Sequence, residues 1–120
     1  MHSTAIHRRW TDVPSEPVAP GVDRKYITGE RVTVAHFELK RGGVVPRHAH
    51  ESEQITQVLK GALEFDIGGE KIVVREGDAL QIPGWMEHEV RVLEDAFAID
   101  VFSPVRQDWI DRTDDYFRGR

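Results

Sequence analysis

Short runs of β-branched and aromatic residues, separated by glycine-containing turns, make up most of this 120-residue chain. This pattern restricts the chain to a small number of possible folds. No stretch with a helical period lies between these runs, and this pattern favours an antiparallel sandwich or barrel. The paired glycines Gly68-Gly69 between two such runs predict a tight hairpin. The predicted strands are residues 25–27, 31–39, 54–59, 62–67, 71–74, 79–82, 87–93 and 96–102.

Length and composition indicate a single domain spanning residues 1–120, because a chain of this size buries one core. We divide it into an extended, proline-containing lead-in (1–23), a β-barrel (24–103) and a helical tail (104–120). The chain contains no cysteine, which excludes disulfide bonds and thiolate metal ligands.

The net charge of −5 argues against nucleic acid or an anionic membrane surface as a partner. A local arginine cluster could still bind a small anionic molecule. The first ten residues lack the apolar region of a signal peptide, and no run approaches the roughly 20 apolar residues of a membrane span. We therefore expect a cytoplasmic protein without a membrane partner.

The tail after Pro104 has apolar residues at helical spacing, which predicts a short amphipathic helix. We expect this helix to cover the barrel or to contact a second copy rather than to bind a ligand. Its stripe consists of Trp109, Ile110, Thr113, Tyr116 and Phe117.

Three histidines are candidate metal ligands. His48 and His50 are two residues apart in a run that enters the β-rich region, and alternation along a strand would place both rings on one face. His88 follows the turn at Pro83-Gly84 and is the expected third ligand. Imidazole ligands predict one divalent transition metal per chain, with nickel, zinc, iron, manganese and copper all compatible.

A fourth ligand is expected near the start of the strand that follows His50, where Glu51, Glu53 and Gln54 are the candidates. The two glutamates belong to a charge-rich turn, whereas Gln54 can point its side-chain oxygen inward. An amide ligand is neutral and leaves the metal its full double charge, which favours Lewis-acid chemistry.

Asp100 and Phe102 alternate on one face of the last predicted strand, which we expect to face inward. A buried carboxylate is costly without compensation. Asp100 should therefore form an ion pair, for which Arg106 is the nearest cation, or contact the metal, or take part in catalysis.

The spacing Gly42-x5-His48-x-His50-x3-Gln54-x6-Gly61 resembles the first cupin motif, with Gln54 where most cupins have glutamate. The spacing Gly77-x5-Pro83-x4-His88 resembles the second, with its glycine displaced to Gly84 and its asparagine replaced by Val92. The resemblance implies an all-β, cupin-type double-stranded β-helix (a jelly-roll barrel) with a short C-terminal helix.

Gln54, segment 20–30 and segment 100–109 resemble the KdgF branch of the cupins, which acts in pectin and alginate breakdown. That resemblance implies metal-dependent conversion of 4,5-unsaturated monouronates to linear 5-keto-4-deoxyuronates, with a small sugar acid as the substrate. A different cupin enzyme, a dioxygenase or isomerase, and a non-catalytic module that binds small acids are the alternatives. A homodimer is also expected, because open sheet edges need cover.

The resemblance also implies roles for individual residues. The expected metal ligands are His48, His50, Gln54 and His88; Asp100 and Arg106 are expected to be catalytic, and Phe102 and Arg106 to bind substrate. Separately from the resemblance, we expect Gln57 to reach the substrate.

Overall fold

Antiparallel strands account for most of the computed structural model, which describes residues 4–114 and 116. Within those residues, no helix is long and apolar enough to cross a membrane. After a 3-10 turn at Trp10–Asp12, the elements are β1 (Glu16–Ala19), β2 (Val22–Thr28), β3 (Thr33–Leu39), β4 (Val44–His48), β5 (Glu53–Ile67), β6 (Glu70–Arg75), β7 (Ala79–Ile82), β8 (His88–Ser103) and α1 (Gln107–Ile110).

The two long central strands, β5 and β8, organise the sheet. The strand order is β1-β2-β3-β8-β5-β6, with β4 also paired to β8 and β7 also paired to β5. The first half of β8 pairs with β4 and its second half with β3, while β5 pairs first with β7 and then with β6. Each long strand therefore belongs to both halves of a rolled sheet, which is the expected jelly roll.

The sequence predicted a break at Lys60-Gly61 and another at 94–95, and the structure shows continuous strands instead. The register between β5 and β8 shifts at this point, and Gly61 adopts a left-handed φ of 81°. A Cβ on Gly61 would lie 2.1 Å from the carbonyl oxygen of Asp95. Glycine thus marks a bulge at which two paired strands bend together without ending.

The predicted hairpin at Gly68-Gly69 is confirmed. Ile67 pairs with Glu70 across the turn, and the two glycines have φ values of 57° and 83°. Positive φ at both central positions is typical of the tight turns whose twist matches that of the strands.

The lead-in contains ordered structure that its prolines did not predict. Within it, β1 pairs with β2, which begins at Val22. The ring of Trp10 stacks on His36 of β3 at a centroid distance of 3.6 Å, so the 3-10 turn packs against the outer face of the sheet.

The tail is helical for only one turn, shorter than the predicted stripe. Trp109 is 2% exposed and packs in the core, whereas Ile110 is 46% exposed. Arg112 has a left-handed φ of 57°, which is incompatible with continued helix and ends α1 early. The last residue of the stripe, Phe117, lies outside the described residues.

Candidate metal centre

The three histidines predicted as ligands converge at one end of the jelly roll. His48 ends β4 and pairs in register with His88, which begins β8. His50 lies two residues beyond the end of β4, so it does not share a strand face with His48 as the spacing suggested. Even so, one ring nitrogen from each histidine lies within 4.8 Å of the other two, a grouping that could hold a metal ion.

Backbone carbonyl groups fix the orientation of all three rings. Each Nδ1 lies at hydrogen-bond distance from a carbonyl oxygen two residues away, and it must carry the proton because a carbonyl can only accept. Every Nε2 is then left with a free lone pair, which is the form that ligates metals. The acceptors are Pro46 for His48 at 2.8 Å, Ser52 for His50 at 2.9 Å and Met86 for His88 at 2.9 Å.

Burial keeps these imidazoles neutral. It lowers the pKa of His48 to about 3, with a further contribution from the charge of His88. Burial and the charge of Arg106 lower the pKa of His50 to about 4. The pKa of His88 is also lowered, again mainly by burial. Neutral rings need lose no proton before they bind a cation.

Gln54, on β5, faces the histidines with its amide oxygen. Its Oε1 lies 3.1 Å from Nε2 of His50, while its Nε2 donates to Oγ1 of Thr56 at 2.9 Å and to Oδ2 of Asp100 at 3.4 Å. Because Nδ1 of His50 holds the ring proton, two lone pairs face each other, an arrangement that a shared cation would stabilise. Three imidazoles and an amide oxygen therefore fit a divalent transition metal.

Asp100 lies on β8 with its side chain in the same cavity. The amide of Gln54 bonds to Oδ2, whereas Oδ1 is buried and has no hydrogen-bond partner within residues 4–114 and 116. Burial raises the pKa of Asp100 to about 6, although the neighbouring hydroxyl of Thr56 and the charge of Arg106 oppose the rise. The result is a carboxyl group that changes protonation near neutral pH.

Arg106 follows β8 and is 2% exposed. It pairs with Asp108 rather than with Asp100: its Nε donates to Oδ1 of Asp108 at 2.9 Å and its Nη2 to Oδ2 at 2.7 Å. The guanidinium also lies over the rings of Phe102 and Trp109, at 4.7 Å and 4.3 Å from their centroids. Burial disfavours the charged form of Arg106 and so lowers its pKa. The bonds to Asp108 favour the charged form and outweigh burial, so that the pKa of Arg106 is raised.

A narrow cavity of about 40 Å³ connects these groups. Its apolar wall includes Leu63 and Phe65, and its polar lining consists of His48, Gln54, Thr56, His88, Asp100 and Arg106. An outer cavity of about 310 Å³ adjoins it and is lined by His50, Trp85 and Asp108 among others. Arg106 and Tyr116 line both cavities and so form the partition between them.

Of the predicted site residues, Gln57 is the one that lies apart. It is exposed, because strand alternation turns it to the outer face of β5. The two glutamates considered as ligands, Glu51 and Glu53, are exposed as well.

Sequence reasoning missed three residues of the site: Thr56, Asp108 and Tyr116. Thr56 could have been found, since it lies two residues after Gln54 and therefore on the same strand face. Asp108 is two residues from Arg106, but nothing in the sequence alone selects it over the other carboxylates as the partner of that arginine. Tyr116 was assigned to the helical stripe as core cover.

A jelly roll with three converging histidines at one end defines a cupin with a candidate metal centre. Residues 35–102 match the cupin domain model, and the chain belongs to the cupin family, within which it is a small KdgF-like protein.

Relatives of known sequence or structure support this placement. The chain is 31% identical over 102 residues to the pectin degradation protein KdgF of Dickeya dadantii (strain 3937), covering 82% of this chain and 93% of that protein. The structure of KdgF from Halomonas sp. is similar, with a TM-score of 0.81, 33% identity and coverage of 88% and 99% of the two chains. An RmlC-like cupin from Shewanella frigidimarina NCIMB 400 shares the fold, with a TM-score of 0.80, 22% identity and coverage of 91% and 99%.

Proposed function

We propose that this protein converts 4,5-unsaturated monouronates, the products of pectin and alginate lyases, to linear 5-keto-4-deoxyuronates in a metal-dependent reaction. The observation that carries the proposal is the position of Asp100, a buried carboxyl group in one cavity with two of the three histidines, with Gln54 and with an arginine. The KdgF of Dickeya dadantii (strain 3937), to which the chain is similar, is named a pectin degradation protein, which supports the choice of substrate.

His48, His50, His88 and Gln54 would hold the metal. A divalent ion held by these neutral ligands supplies Lewis acidity toward the oxygen atoms of a sugar acid. The chain itself supplies the orientation, since carbonyl bonds fix the imidazoles and Thr56 holds the amide of Gln54.

Arg106 is the proposed anchor for the substrate carboxylate. Its Nε and Nη2 are held by Asp108, and within the described residues its Nη1 donates no hydrogen bond. A guanidinium fixed in this way presents a charged donor in one orientation, which suits a planar carboxylate. Phe102 lies beneath the guanidinium and would shape the pocket and exclude water.

Asp100 is the proposed proton carrier. It takes the proton of the anomeric hydroxyl, so that a carbonyl group forms at C1 while the bond from C1 to the ring oxygen breaks and its electron pair stays on that oxygen as an enolate of C4 and C5. Asp100 then gives the same proton to C4, and the former ring oxygen becomes the ketone at C5. The overall change is an isomerisation that needs no further reactant. A carboxyl group with a pKa of about 6 is suited to act first as base and then as acid.

The experiment is to add metal-loaded protein to freshly prepared 4,5-unsaturated galacturonate and to follow the ultraviolet absorbance of the double bond. These rings also open spontaneously, so the rate is compared with a sample lacking protein and with one treated with chelator. We expect an acceleration that chelator removes and that added metal restores.

No acceleration with nickel, zinc, iron, manganese or copper would contradict the proposal. Oxygen consumption by the iron-loaded protein would then favour a dioxygenase. Binding of a sugar acid without turnover would favour a binding module. The homodimer and the cytoplasmic location expected from the sequence stay predictions, and Gln57 has no part in the proposed mechanism.

A further inference from the structure

The ring of Tyr116 covers the candidate metal centre from the C-terminal tail. It stacks on the imidazole of His48 with a centroid distance of 4.0 Å and an interplanar angle of 5°. Its hydroxyl oxygen accepts a hydrogen bond from Nη2 of Arg106 at 2.9 Å and one from Nε1 of Trp109 at 3.4 Å. Tyr116 thus contacts both a candidate metal ligand and the proposed carboxylate anchor.

The position of Tyr116 limits what the inner cavity can hold. That cavity has a volume of about 40 Å³, whereas sites for small organic ligands usually measure about 300–1,000 Å³. The outer cavity of about 310 Å³ is separated from it by Arg106 and Tyr116. Removing the Tyr116 ring from the partition would join the two volumes into a site large enough for a six-carbon sugar acid.

A buried ion pair holds the segment that carries Tyr116, which we call the C-terminal strap (residues 111–114 and 116). Asp114 of the strap pairs with Arg24 of β2 at 3.2 Å, and each side chain is 1% exposed. The guanidinium of Arg24 also lies 4.2 Å from the ring centroid of Trp109. The strap is therefore fixed by a contact outside the cavity, while Tyr116 is held inside it by stacking and hydrogen bonds.

We propose that Tyr116 is an access- and specificity-determining residue, which a uronate must displace to reach the metal centre. The Tyr116 hydroxyl occupies a position on Arg106 that a substrate carboxylate oxygen takes when the ring moves out. The inner cavity of about 40 Å³ is too small for a sugar acid, which therefore requires displacement of the ring. This inference rests on the proposed function for the substrate class, and on the contacts of Tyr116 for the displacement.

The test uses fluorine NMR of the metal-loaded protein labelled with 3-fluorotyrosine. The chain has two tyrosines, so the spectrum contains two resonances, and the Tyr26→Phe variant assigns them. The protein is titrated with D-galacturonate, a saturated monouronate that cannot react, and separately with galactose, which lacks the carboxylate. We expect galacturonate to move the Tyr116 resonance toward the position of a solvent-exposed tyrosine and to leave that of Tyr26 in place, and galactose to move neither.

Calorimetry on variants supplies a second measurement. In Tyr116→Phe the hydroxyl no longer occupies Arg106, and we expect galacturonate to bind about tenfold more tightly, the change expected when one charged hydrogen bond need not be broken. Tyr116→Ala should bind at least as tightly. Tyr26→Phe, which removes a hydroxyl 3.4 Å from the carbonyl oxygen of Trp109 outside the site, should bind as the wild type does. A merely structural role for Tyr116 predicts weaker binding in its variants.

The outcomes separate this inference from the proposed function. Turnover of the unsaturated monouronate with an unmoved Tyr116 resonance at saturating galacturonate overturns the displacement alone. Movement of the resonance without turnover overturns the proposed reaction alone. Binding by Tyr116→Phe or Tyr116→Ala but not by the wild type supports the displacement, and absence of binding in all three proteins overturns it.

Discussion

The side-chain amide of Gln54 donates to Oδ2 of Asp100 at 3.4 Å, and so it links the histidine cluster to the buried carboxyl group. The opposite end of the same amide directs Oε1 toward His50 at 3.1 Å. One neutral side chain therefore serves both parts of the site. A carboxylate in its place could donate to neither Asp100 nor Thr56 without a proton, and it would add negative charge beside Asp100.

Gln54→Glu is expected to retain metal and to lower turnover of the unsaturated monouronate by at least about 100-fold, the lower range for losing general acid–base catalysis. The new carboxylate would disfavour ionisation of Asp100 and would remove the donor that now holds Oδ2. Metal content by elemental analysis and initial rates at several substrate concentrations measure the two effects.

Gln57→Glu is the matched control for Gln54→Glu, because it makes the same change on the same strand. Gln57 is exposed on the outer face of β5, and its substitution should leave metal content and rate unchanged. Equal losses in the two variants would show that an added charge on β5, and not its place beside Asp100, causes the effect.

Asp100→Asn is expected to abolish measurable acceleration and to leave metal content intact. Asparagine keeps the shape of the side chain and can still contact Gln54, but it has no group that ionises near neutral pH. Glu94→Gln, an exposed substitution on the same strand, controls for changes in β8. Wild-type turnover in Asp100→Asn would exclude Asp100 as the proton carrier.

Arg106→Lys should raise KM about tenfold or more while metal content stays constant. Lysine keeps the positive charge but cannot hold Asp108 with two parallel bonds and still direct a third donor into the cavity. Arg47→Lys, at a half-exposed arginine that pairs with Asp66, is the control. Steady-state kinetics distinguish a role of Arg106 in substrate binding from a role in the chemical step. A fall in kcat without a change in KM would argue against a binding role.

Alternation along strands explains why much of the site could be predicted from the sequence. Gln54 begins a run in which every second residue is buried, and Asp100 and Phe102 have the same relation on β8. These positions follow from the two-residue period of a strand, which depends only on local backbone geometry. The sequence predicts His88 as the third ligand from its place after a turn, but it does not predict the pairing of β4 with β8 that brings His88 to His48.

The missed features depend on contacts between distant parts of the chain. The strap follows its path because Asp114 pairs with Arg24, 90 residues earlier, and because Arg112 adopts a left-handed conformation. The helical spacing of apolar residues in the tail predicts neither this ion pair nor the left-handed conformation. Likewise, Gly61 was interpreted as the end of a strand, because a glycine at a bulge and a glycine in a turn look the same in sequence.

The metal-free protein should lose stability as the pH falls from about 6.5 to 4. Folding lowers the pKa of His48 to about 3 and that of His50 to about 4, and it also lowers the pKa of His88 below the ordinary 6.5. The folded state therefore binds fewer protons than the unfolded state in this window, so the free energy of unfolding rises with pH. Asp100 acts in the opposite direction, because its pKa is raised from 3.8 to about 6.

Because the three histidines together outweigh the single carboxyl group, the free energy of unfolding should fall on acidification. Thermal unfolding in the presence of chelator measures this loss as a falling Tm. His48→Gln should reduce the slope of Tm against pH. His7→Gln, at an exposed histidine, should preserve it. A Tm that rises between pH 6.5 and 4 would contradict the predicted direction.

Gly61→Ala should destabilise the fold by about 2–5 kcal/mol, the sum of a left-handed alanine and an overpacked contact. The added methyl group would lie 2.1 Å from the carbonyl oxygen of Asp95, so the bend shared by β5 and β8 would have to open. Gly68→Ala is the matched control, since Gly68 has a φ of 57° but no described atom within 4 Å of the point that an added methyl group would occupy, and it should cost only about 1–2 kcal/mol. Urea unfolding of both variants measures the difference, and equal losses would show that backbone strain, and not the close approach of the two long strands, makes glycine necessary at position 61.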